Sequence, residues 1–198
     1  MSILGTLAAC DDGPTAPPET PPVKLEDELT FVRFPPELLS RIEREGSVWA
    51  VRGENRELVL NYLPEAGEEE GEEFLEFDIP GEALLRRPDG AAFAEGDSIL
   101  ITISVATDGR FLFDFQPSGL IFDPDHPAEL EVTYRRAEGD LNGDGSVDGE
   151  DDELERELSI WKQEAEGQPW IRVGSATFEL NDEIEADIFG FTGFCVAA

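Results

Sequence analysis

Oxygen-bearing side chains recur at fixed spacing in one short acidic segment of the chain. They are Asp140, Asn142, Asp144, Ser146, Asp148 and Asp151. Counted from Asp140, they hold positions 1, 3, 5, 7, 9 and 12, which supply the oxygen ligands of Ca²⁺ in protein loops of this length. Ca²⁺ is a hard cation that prefers oxygen ligands at about 2.3–2.6 Å. The spacing therefore predicts a Ca²⁺ site with these six residues as metal ligands.

Two apolar or small residues inside the segment fit the same prediction. Gly145 at position 6 allows the sharp turn that directs the carbonyl of Ser146 inward. Val147 at position 8 is expected to anchor the loop against apolar neighbours. The alternative is a loop that only turns the chain, because Asp, Asn and Gly favour turns. The six matched positions favour the Ca²⁺ site.

The segment Asp140 to Asp151 resembles the calcium loop of EF-hands and, across all twelve positions, that of dockerins, where Asp stands at position 12 as Asp151 does here. Leu154 and Leu158 are four residues apart and share a helical face, so a helix should leave the loop. Residues 129–134 alternate like a strand, so no helix should enter it. A calcium loop with only one flanking helix lacks the paired helices of calcium sensors, which favours a structural role for the ion. The sequence also has no second repeat of the loop.

The whole chain is strongly acidic, with 46 Asp and Glu against 14 Lys and Arg and a net charge of −32. The resulting negative field disfavours nucleic acid and anionic membrane surfaces as partners. It favours divalent cations and basic partners, and it also suits general solubility in a salt-rich habitat. We expect no nucleic-acid binding.

The N-terminus contains Leu7-Ala8-Ala9-Cys10, preceded by a short apolar run and followed by a Pro-rich stretch through Pro22. This motif resembles the lipobox of bacterial lipoproteins, which implies lipid modification at Cys10 and a location in the cell envelope or outside the cell. The alternative is an ordinary unstructured N-terminus. No other segment is long and apolar enough to span a bilayer, so membrane contact is expected only through the lipid. With Cys195 as the only other cysteine, a disulfide-rich scaffold is excluded.

The rest of the chain shows the pattern of a mainly β protein. Short alternating segments, separated by Pro, Gly or Asp, predict an antiparallel β-sandwich. These segments are 74–79, 98–106, 110–115, 129–134, 159–162, 170–173, 176–180 and 184–189. We expect residues 1–23 to be a signal remnant and linker and residues 24–198 to be one monomeric sandwich domain. Residues 138–158 would form the inserted calcium loop and its helix.

Local patterns near the start of the domain predict three further features. A proline followed by apolar residues three or four apart predicts a short helix over residues 36–44. The alternating runs 48–51 and 57–62 flank the turn-forming residues 53–55 and predict a hairpin. The Glu-rich residues 65–73 are expected to form a solvated loop, because like charges packed this closely repel.

Several segments together follow the pattern of a known sandwich domain. They are 79–84, 99–103, 115–122, 127–130 with Tyr134, and the closing aromatic run 190–194. They resemble the β-sandwich domain of zonula-occludens and netrin-receptor proteins and its bacterial surface-protein relatives, over roughly residues 74–197. Domains of this kind mediate interactions or, in some relatives, autoproteolysis, and this sequence has no cleavage site of the His-Phe-Ser type. The resemblance therefore implies architecture rather than an activity.

Residue types that often carry catalysis lack their usual partners here. His126 is the only histidine, and no nucleophile motif accompanies it. Ser118 lacks a nucleophile-elbow pattern. Pairs of carboxylates are expected by chance among 46 acidic residues. We therefore expect no enzyme activity.

The sequence leaves several binding functions open. Trp49, Trp161 and Trp170 are expected to be core or half-buried strand residues. We expect a calcium-stabilised surface lipoprotein whose partner is an unknown protein or glycan at the cell surface. The alternatives are a dockerin-like module that recruits a cohesin-type partner and a carbohydrate-binding sandwich, which would need exposed coplanar aromatics.

Overall fold

The structure, a computed structural model, describes residues 20–64, 67, 71–137, 139–178 and 181–198. Cys10 and its lipobox context lie outside these residues, as do parts of the segment 65–73. Within the described residues, one α-helix occurs, α1 (Gly149–Glu157). The strands are β1 (Val23–Lys24), β2 (Glu45–Val51), β3 (Arg56–Asn61), β4 (Glu73–Ile79), β5 (Leu84–Arg86), β6 (Ser98–Val105), β7 (Leu112–Gln116), β8 (Ile121–Phe122), β9 (Ala128–Thr133), β10 (Ser159–Gln163), β11 (Trp170–Arg172), β12 (Ser175–Phe178), β13 (Glu183–Ile188) and β14 (Gly193–Ala197).

The strands form antiparallel sheets, which confirms the expected mainly β class. A seven-stranded sheet has the order β1-β11-β10-β14-β7-β6-β2, and a five-stranded sheet has the order β12-β13-β9-β4-β3. Strands β5 and β8 form a small separate ribbon. The arrangement is sandwich-like, with one core shared by the two large sheets.

Aromatic side chains fill the space between the two sheets. The ring of Phe77 on β4 lies 5.3 Å from that of Phe115 on β7, measured between centroids. Phe191, just before β14, lies 5.2 Å from Phe115 and 5.6 Å from Phe77. All three are buried. Because buried residues alternate with half-buried or exposed ones along β4 and β7, each strand presents one face to this core.

Most predicted strands are confirmed by the structure, with boundaries shifted by one or two residues. The calcium-loop segment is inserted between β9 and β10, as expected. A short 3₁₀ turn, Arg135–Ala137, precedes it, and α1 follows it. No helix in the described part of the chain is both long and apolar enough to cross a membrane.

The predicted helix over residues 36–44 is wrong. The chain there makes successive tight turns, with the N–H of Leu38 donating to the carbonyl of Pro35 and that of Arg41 to Leu38. Ile42 then forms a β-bridge to Tyr62 and is buried. A segment this short has little helical stability of its own, so pairing with the sheet prevails.

The predicted hairpin over residues 48–62 is also wrong. Strand β2 pairs with β6, and β3 pairs with β4, so the turn between them carries the chain from one sheet to the other. Hydrogen bonds to Gly81, which follows β4, fix this turn. The N–H of Gly53 donates to the carbonyl of Gly81, and the N–H of Gly81 donates to Oδ1 of Asn55. Alternation identifies both strands but does not determine which strand each one pairs with.

Candidate metal centre

The predicted calcium loop is attached to the sandwich at its start. Leu141, at position 2, is only 3% exposed and belongs to the main core. Its carbonyl accepts a hydrogen bond from the N–H of Arg33 at 3.1 Å. Val147, expected to anchor the loop, is instead 68% exposed, so that prediction is wrong. Leu141 anchors the loop because it lies beside the core, whereas Val147 points to solvent.

Helix α1 fixes the other end of the loop. Asp148 is its N-cap, and Oδ1 of Asp148 accepts the N–H of Glu150 at 2.8 Å. Asp151 completes a capping box, because its Oδ2 accepts the N–H of Asp148 at 3.0 Å. Positions 9 and 12 of the predicted ligand set therefore coincide with the helix cap.

Asp151 also closes the loop across its full length. Asp151 is only 4% exposed as a residue, and its Oδ1 accepts the N–H of Leu141 at 3.0 Å. One buried carboxylate thus joins the second, ninth and twelfth positions. Because a buried charge is costly without hydrogen bonds, these N–H donors are what stabilise the carboxylate in place.

The first half of the loop folds around the side chains at positions 1, 3 and 5. Asp140 accepts the N–H of Asp144 on Oδ1 and that of Gly145 on Oδ2, both at 3.0 Å. Oδ1 of Asn142 accepts from Asp144 at 2.8 Å, and Oδ1 of Asp144 accepts from Ser146 at 2.8 Å. The side-chain oxygens of these three positions are therefore directed toward the same short stretch of backbone.

The donor set is chemically suited to a hard cation. Each carboxylate oxygen has more than one lone pair, so it can accept an N–H bond and still bind an ion. The backbone turns at Gly143, with φ of +71°, and at Gly145, with φ of +91°, where glycine is favoured. Ser146 follows that second turn, as position 7 requires. Five predicted ligands have side-chain oxygens engaged within the loop, and Ser146 takes part through its backbone.

No three of the described loop carboxylates have oxygens that all lie within 4.8 Å of one another. Among the residues that the structure describes, one set of three carboxylates has oxygens within 4.8 Å of one another, and it is Glu57, Glu76 and Asp78. These residues lie on β3 and β4, on the outer face of the five-stranded sheet. This set could hold a metal ion, but it is not specific to Ca²⁺.

Carboxylates continue across that outer face. In the strand register, Glu76 lies opposite Glu131, which lies opposite Glu185 on the next strand. Burial and, to a smaller extent, the neighbouring carboxylates of Glu183 and Glu76 together raise the pKa of Glu131 from 4.5 to about 7. Burial and neighbouring carboxylates likewise raise the pKa values of Glu76 and Glu129. In the sequence, this face is marked by acidic residues at every second position of β4, β9 and β13. The search for metal-binding motifs did not find this pattern, because it is spread over three separate strands.

Other residues singled out in the sequence lie in ordinary environments. His126 Nε2 lies 3.2 Å from Glu82 Oε2 at the surface. The N–H of Ser118 donates to Oε1 of Gln116. Cys195 is buried, and burial raises the pKa of its thiol.

The tryptophans divide into two groups. Trp161 and Trp170 are buried, as expected, against a small second core. Trp49 is 59% exposed, so its prediction as a core or half-buried residue is wrong. Its strand β2 is the last strand of the seven-stranded sheet, and the indole lies on the outer face.

Comparison of the chain with models of protein families, with curated proteins and with solved structures finds no match.

Proposed function

We propose that the protein is a calcium-binding, non-catalytic surface lipoprotein in which one Ca²⁺ orders the loop 140–151 on the β-sandwich. The observation that supports this most is the closed hydrogen-bonded loop. In it, the oxygens of Asp140, Asn142 and Asp144 face one stretch of backbone, while Asp151 joins both ends.

The six predicted ligands would hold the ion: Asp140, Asn142, Asp144, Ser146, Asp148 and Asp151. A bound Ca²⁺ supplies two positive charges that offset the repulsion among four aspartates. The chain supplies a fixed start at Leu141 and a fixed end at the helix cap. An ion that binds only the folded state stabilises it by about 2.7 kcal/mol at a concentration one hundred times its Kd.

The proposal includes export and anchoring through Cys10. It is supported by the resemblance of residues 7–10 to a lipobox and by the Pro-rich linker that follows. Outside the cell, calcium sites work at about 10⁻⁴–10⁻³ M, within reach of a single loop. The sandwich would then present its surfaces as a monomer to a protein or glycan partner, with membrane contact only through the lipid.

The test is a Ca²⁺ titration of the full chain by calorimetry and thermal melting, with Mg²⁺ as the ion control. We expect one saturable Ca²⁺ site that raises the melting temperature. The Asp140→Ala/Asp144→Ala variant should lose both effects. The matched control is Glu57→Ala/Glu76→Ala, which removes the same number of carboxylates from the sheet and should leave loop binding intact.

Two results would count against this function. If the parent chain shows no saturable heat of Ca²⁺ binding, the proposed calcium site is excluded. Loss of binding in the sheet variant but not in the loop variant would move the site to Glu57, Glu76 and Asp78.

A further inference from the structure

An open apolar cleft lies at one end of the sandwich, between β10–β11 and the segment that joins β13 to β14. It encloses about 550 Å³, within the range of about 300–1,000 Å³ that is typical of ligand sites. Its lining includes Phe191 and Phe194 of the main core and Ile171 on β11. Phe189 and Ile121 also line it and are 50% and 42% exposed. A cleft that leaves two large apolar side chains in water is typical of a contact site.

One edge of the cleft is continuous with a row of carboxylates on the outer face of the five-stranded sheet. In the strand register, the row consists of Glu57, Asp78, Glu129 and Asp187, which stand opposite one another on β3, β4, β9 and β13. Asp187 also lines the cleft, two residues before Phe189. Because neighbouring strands are about 4.8 Å apart, the row is about 14 Å long. Negative charge therefore extends in one line from β3 to the apolar cleft.

The basic side chains that line the cleft are bound within the protein. Nζ of Lys162 lies 2.6 Å from Oε1 of Glu164. Nε of Arg172 donates to Oγ of Ser159 on β10 at 2.8 Å. By contrast, within the described part of the chain no ion pair engages any of the four carboxylates of the row. The row is thus open to positive charge from outside.

Charge selects the kind of partner that suits this surface. A net charge of −32 repels anionic ligands and also repels a second copy of this chain. Like charges directly opposite one another destabilise a sheet, so cations placed along the row relieve repulsion. A divalent cation would do this alone, but it would leave the apolar cleft unfilled. The partner that satisfies both features carries several positive charges beside a large apolar side chain.

The dimensions of the row and the cleft suit an extended peptide. Each residue of an extended chain advances about 3.3–3.6 Å, so about four residues cover the row. The long side chains of lysine and arginine reach the carboxylates from such a segment. An aromatic side chain at its end enters the cleft beside Phe189, where ring contacts are favourable.

We infer that this surface binds a basic polypeptide segment, whose lysine or arginine side chains pair with the carboxylate row and whose apolar side chain fills the cleft at Phe189. The site is separate from the loop 140–151 and needs no calcium, so the inference goes beyond the function proposed above. An uncharged apolar small molecule and a second copy of the chain are the other occupants, and the experiment distinguishes them.

The probe is a synthetic eight-residue peptide in which three lysines alternate with glycines and two phenylalanines follow. Its binding to the full chain is measured by calorimetry in EGTA, which separates the result from calcium binding. We expect saturable binding of one peptide per chain, weakened when NaCl is raised from about 0.05 M to about 0.5 M. A peptide with alanines in place of the phenylalanines and one with glutamines in place of the lysines should each bind about tenfold more weakly.

The variant Phe189→Ala tests the cleft. It should weaken binding of the lysine–phenylalanine peptide about tenfold and leave binding of the alanine peptide unchanged, because only the apolar contact is lost. Trp49→Ala removes another exposed aromatic, on the seven-stranded sheet and outside the cleft, and should bind as the parent chain does.

The double variant Glu129→Gln/Asp187→Asn tests the carboxylate row. It should weaken binding of both lysine peptides about tenfold at low salt. Glu153→Gln/Glu157→Gln removes two exposed carboxylates from α1 and should bind nearly as the parent chain does. Equal weakening by the two double variants would contradict the role of the row.

Four further outcomes would overturn the inference. One is no binding of the lysine–phenylalanine peptide by the parent chain. Another is equal binding by the parent and Phe189→Ala proteins, both folded by thermal melting, which would leave only general charge attraction. A third is binding of the glutamine peptide as tight as that of the lysine peptide, which would assign the cleft to an uncharged apolar ligand. The last is a Phe189-dependent dimer in analytical ultracentrifugation without peptide binding, which would assign the cleft to a second copy.

Discussion

Asp151 joins the two ends of the loop 140–151 through its carboxylate. It accepts the N–H of Leu141 at one end and that of Asp148 at the other. Hydrogen bonds to a charged group contribute about 1.5–3 kcal/mol each, more than those between neutral groups. The side chain therefore matters to the fold even without an ion.

The variant Asp151→Asn tests this role. The amide keeps the size of the side chain but replaces one accepting oxygen with a donor, which leaves a loop N–H without its acceptor. In EGTA, we expect the free energy of unfolding to fall by about 1–3 kcal/mol in urea titrations, and with Ca²⁺ the heat of binding should disappear. Glu150→Gln, in the same helical turn but exposed, should change stability by less than about 0.5 kcal/mol. Equal stability of Asp151→Asn and Glu150→Gln would contradict the role of Asp151 in joining the two ends of the loop.

Gly143 and Gly145 share a left-handed backbone but differ in their neighbours. A Cβ on Gly143 would lie 2.7 Å from Cδ of Arg33, whereas one on Gly145 would meet nothing within 4 Å. Backbone strain of about 1–2 kcal/mol should destabilise both alanine variants. We expect Gly143→Ala to be the less stable in thermal melts, and Arg33→Ala to remove most of that difference. Equal melting temperatures of Gly143→Ala and Gly145→Ala would show that the contact with Arg33 does not destabilise the Gly143 variant.

At the residue scale, the backbone features of the loop could be predicted from the sequence, because turn and helix-cap signals are local, whereas its ion ligands stay a prediction. The backbone turn at Gly145 and the helix that leaves the loop follow from residues within twelve positions. The prediction that Val147 anchors the loop was wrong. Leu141 is buried instead, and its burial depends on Arg33 and the core, which are distant in the sequence. The exposure of Trp49 was missed for the same reason, since strand alternation does not reveal which face of a sheet is covered.

At the scale of the element, the five-stranded sheet carries carboxylates directly opposite one another. Glu76, Glu131 and Glu185 form one cross-strand row. Like charges directly opposite destabilise a sheet. Burial is the largest cause of the raised pKa of Glu131, and repulsion from neighbouring carboxylates, which proton uptake relieves, adds to it.

This raised pKa predicts an unusual pH dependence. The folded state holds the Glu131 proton up to about pH 7, whereas the unfolded chain releases it near 4.5. Between these values the folded state binds more protons, so this residue makes stability fall as pH rises from 4.5 to 7. The variant Glu131→Gln should be more stable than the parent at pH 8 and lose that part of the slope.

Urea titrations at pH 5.5, 7 and 8.5 measure this difference. Glu95→Gln, an exposed carboxylate in the loop before β6, serves as the matched control and should follow the parent at every pH. A parent-like slope in Glu131→Gln would refute the assignment to this residue.

The strands themselves were largely predictable, whereas their pairing was not. Alternation along β4, β6, β9 and β13 is a local property, and each of these strands was expected within two residues. Pairing of β2 with β6 joins residues about fifty positions apart, and no local signal specifies it. A bridge between Ile42 and Tyr62 is likewise formed between residues distant in sequence, and residues 36–44 form turns rather than the expected helix.

At the scale of the whole molecule, net charge opposes the packed core. The aromatic cluster around Phe77, Phe115 and Phe191 holds the two sheets together, and each fully buried Phe contributes about 1.5–3 kcal/mol. Against this, a net charge of −32 repels itself within the compact state. Mainly β class and acidity were both evident from composition and periodicity, because each is a sum over the entire chain.

Self-repulsion predicts that salt stabilises the protein. The Debye length falls from about 30 Å at 0.01 M to about 3 Å at 1 M ionic strength, so most pairs of surface carboxylates become screened. We expect the melting temperature at pH 8 in EGTA to rise when NaCl is raised over this range. Sucrose of equal osmolality controls for solvent exclusion, and a melting temperature indifferent to NaCl would contradict the prediction.

Strand β14 lies in the middle of the seven-stranded sheet, between β10 and β7, and Ala197 also bridges to Phe31 near the opposite end of the sequence. The sheet therefore has a gap until residues 193–197 have been synthesised. A chain that lacks this strand cannot complete its core, because Phe194 and Val196 on β14 are buried in it. The strand groups β1-β11-β10 and β7-β6-β2 therefore stay unjoined until β14 pairs with both.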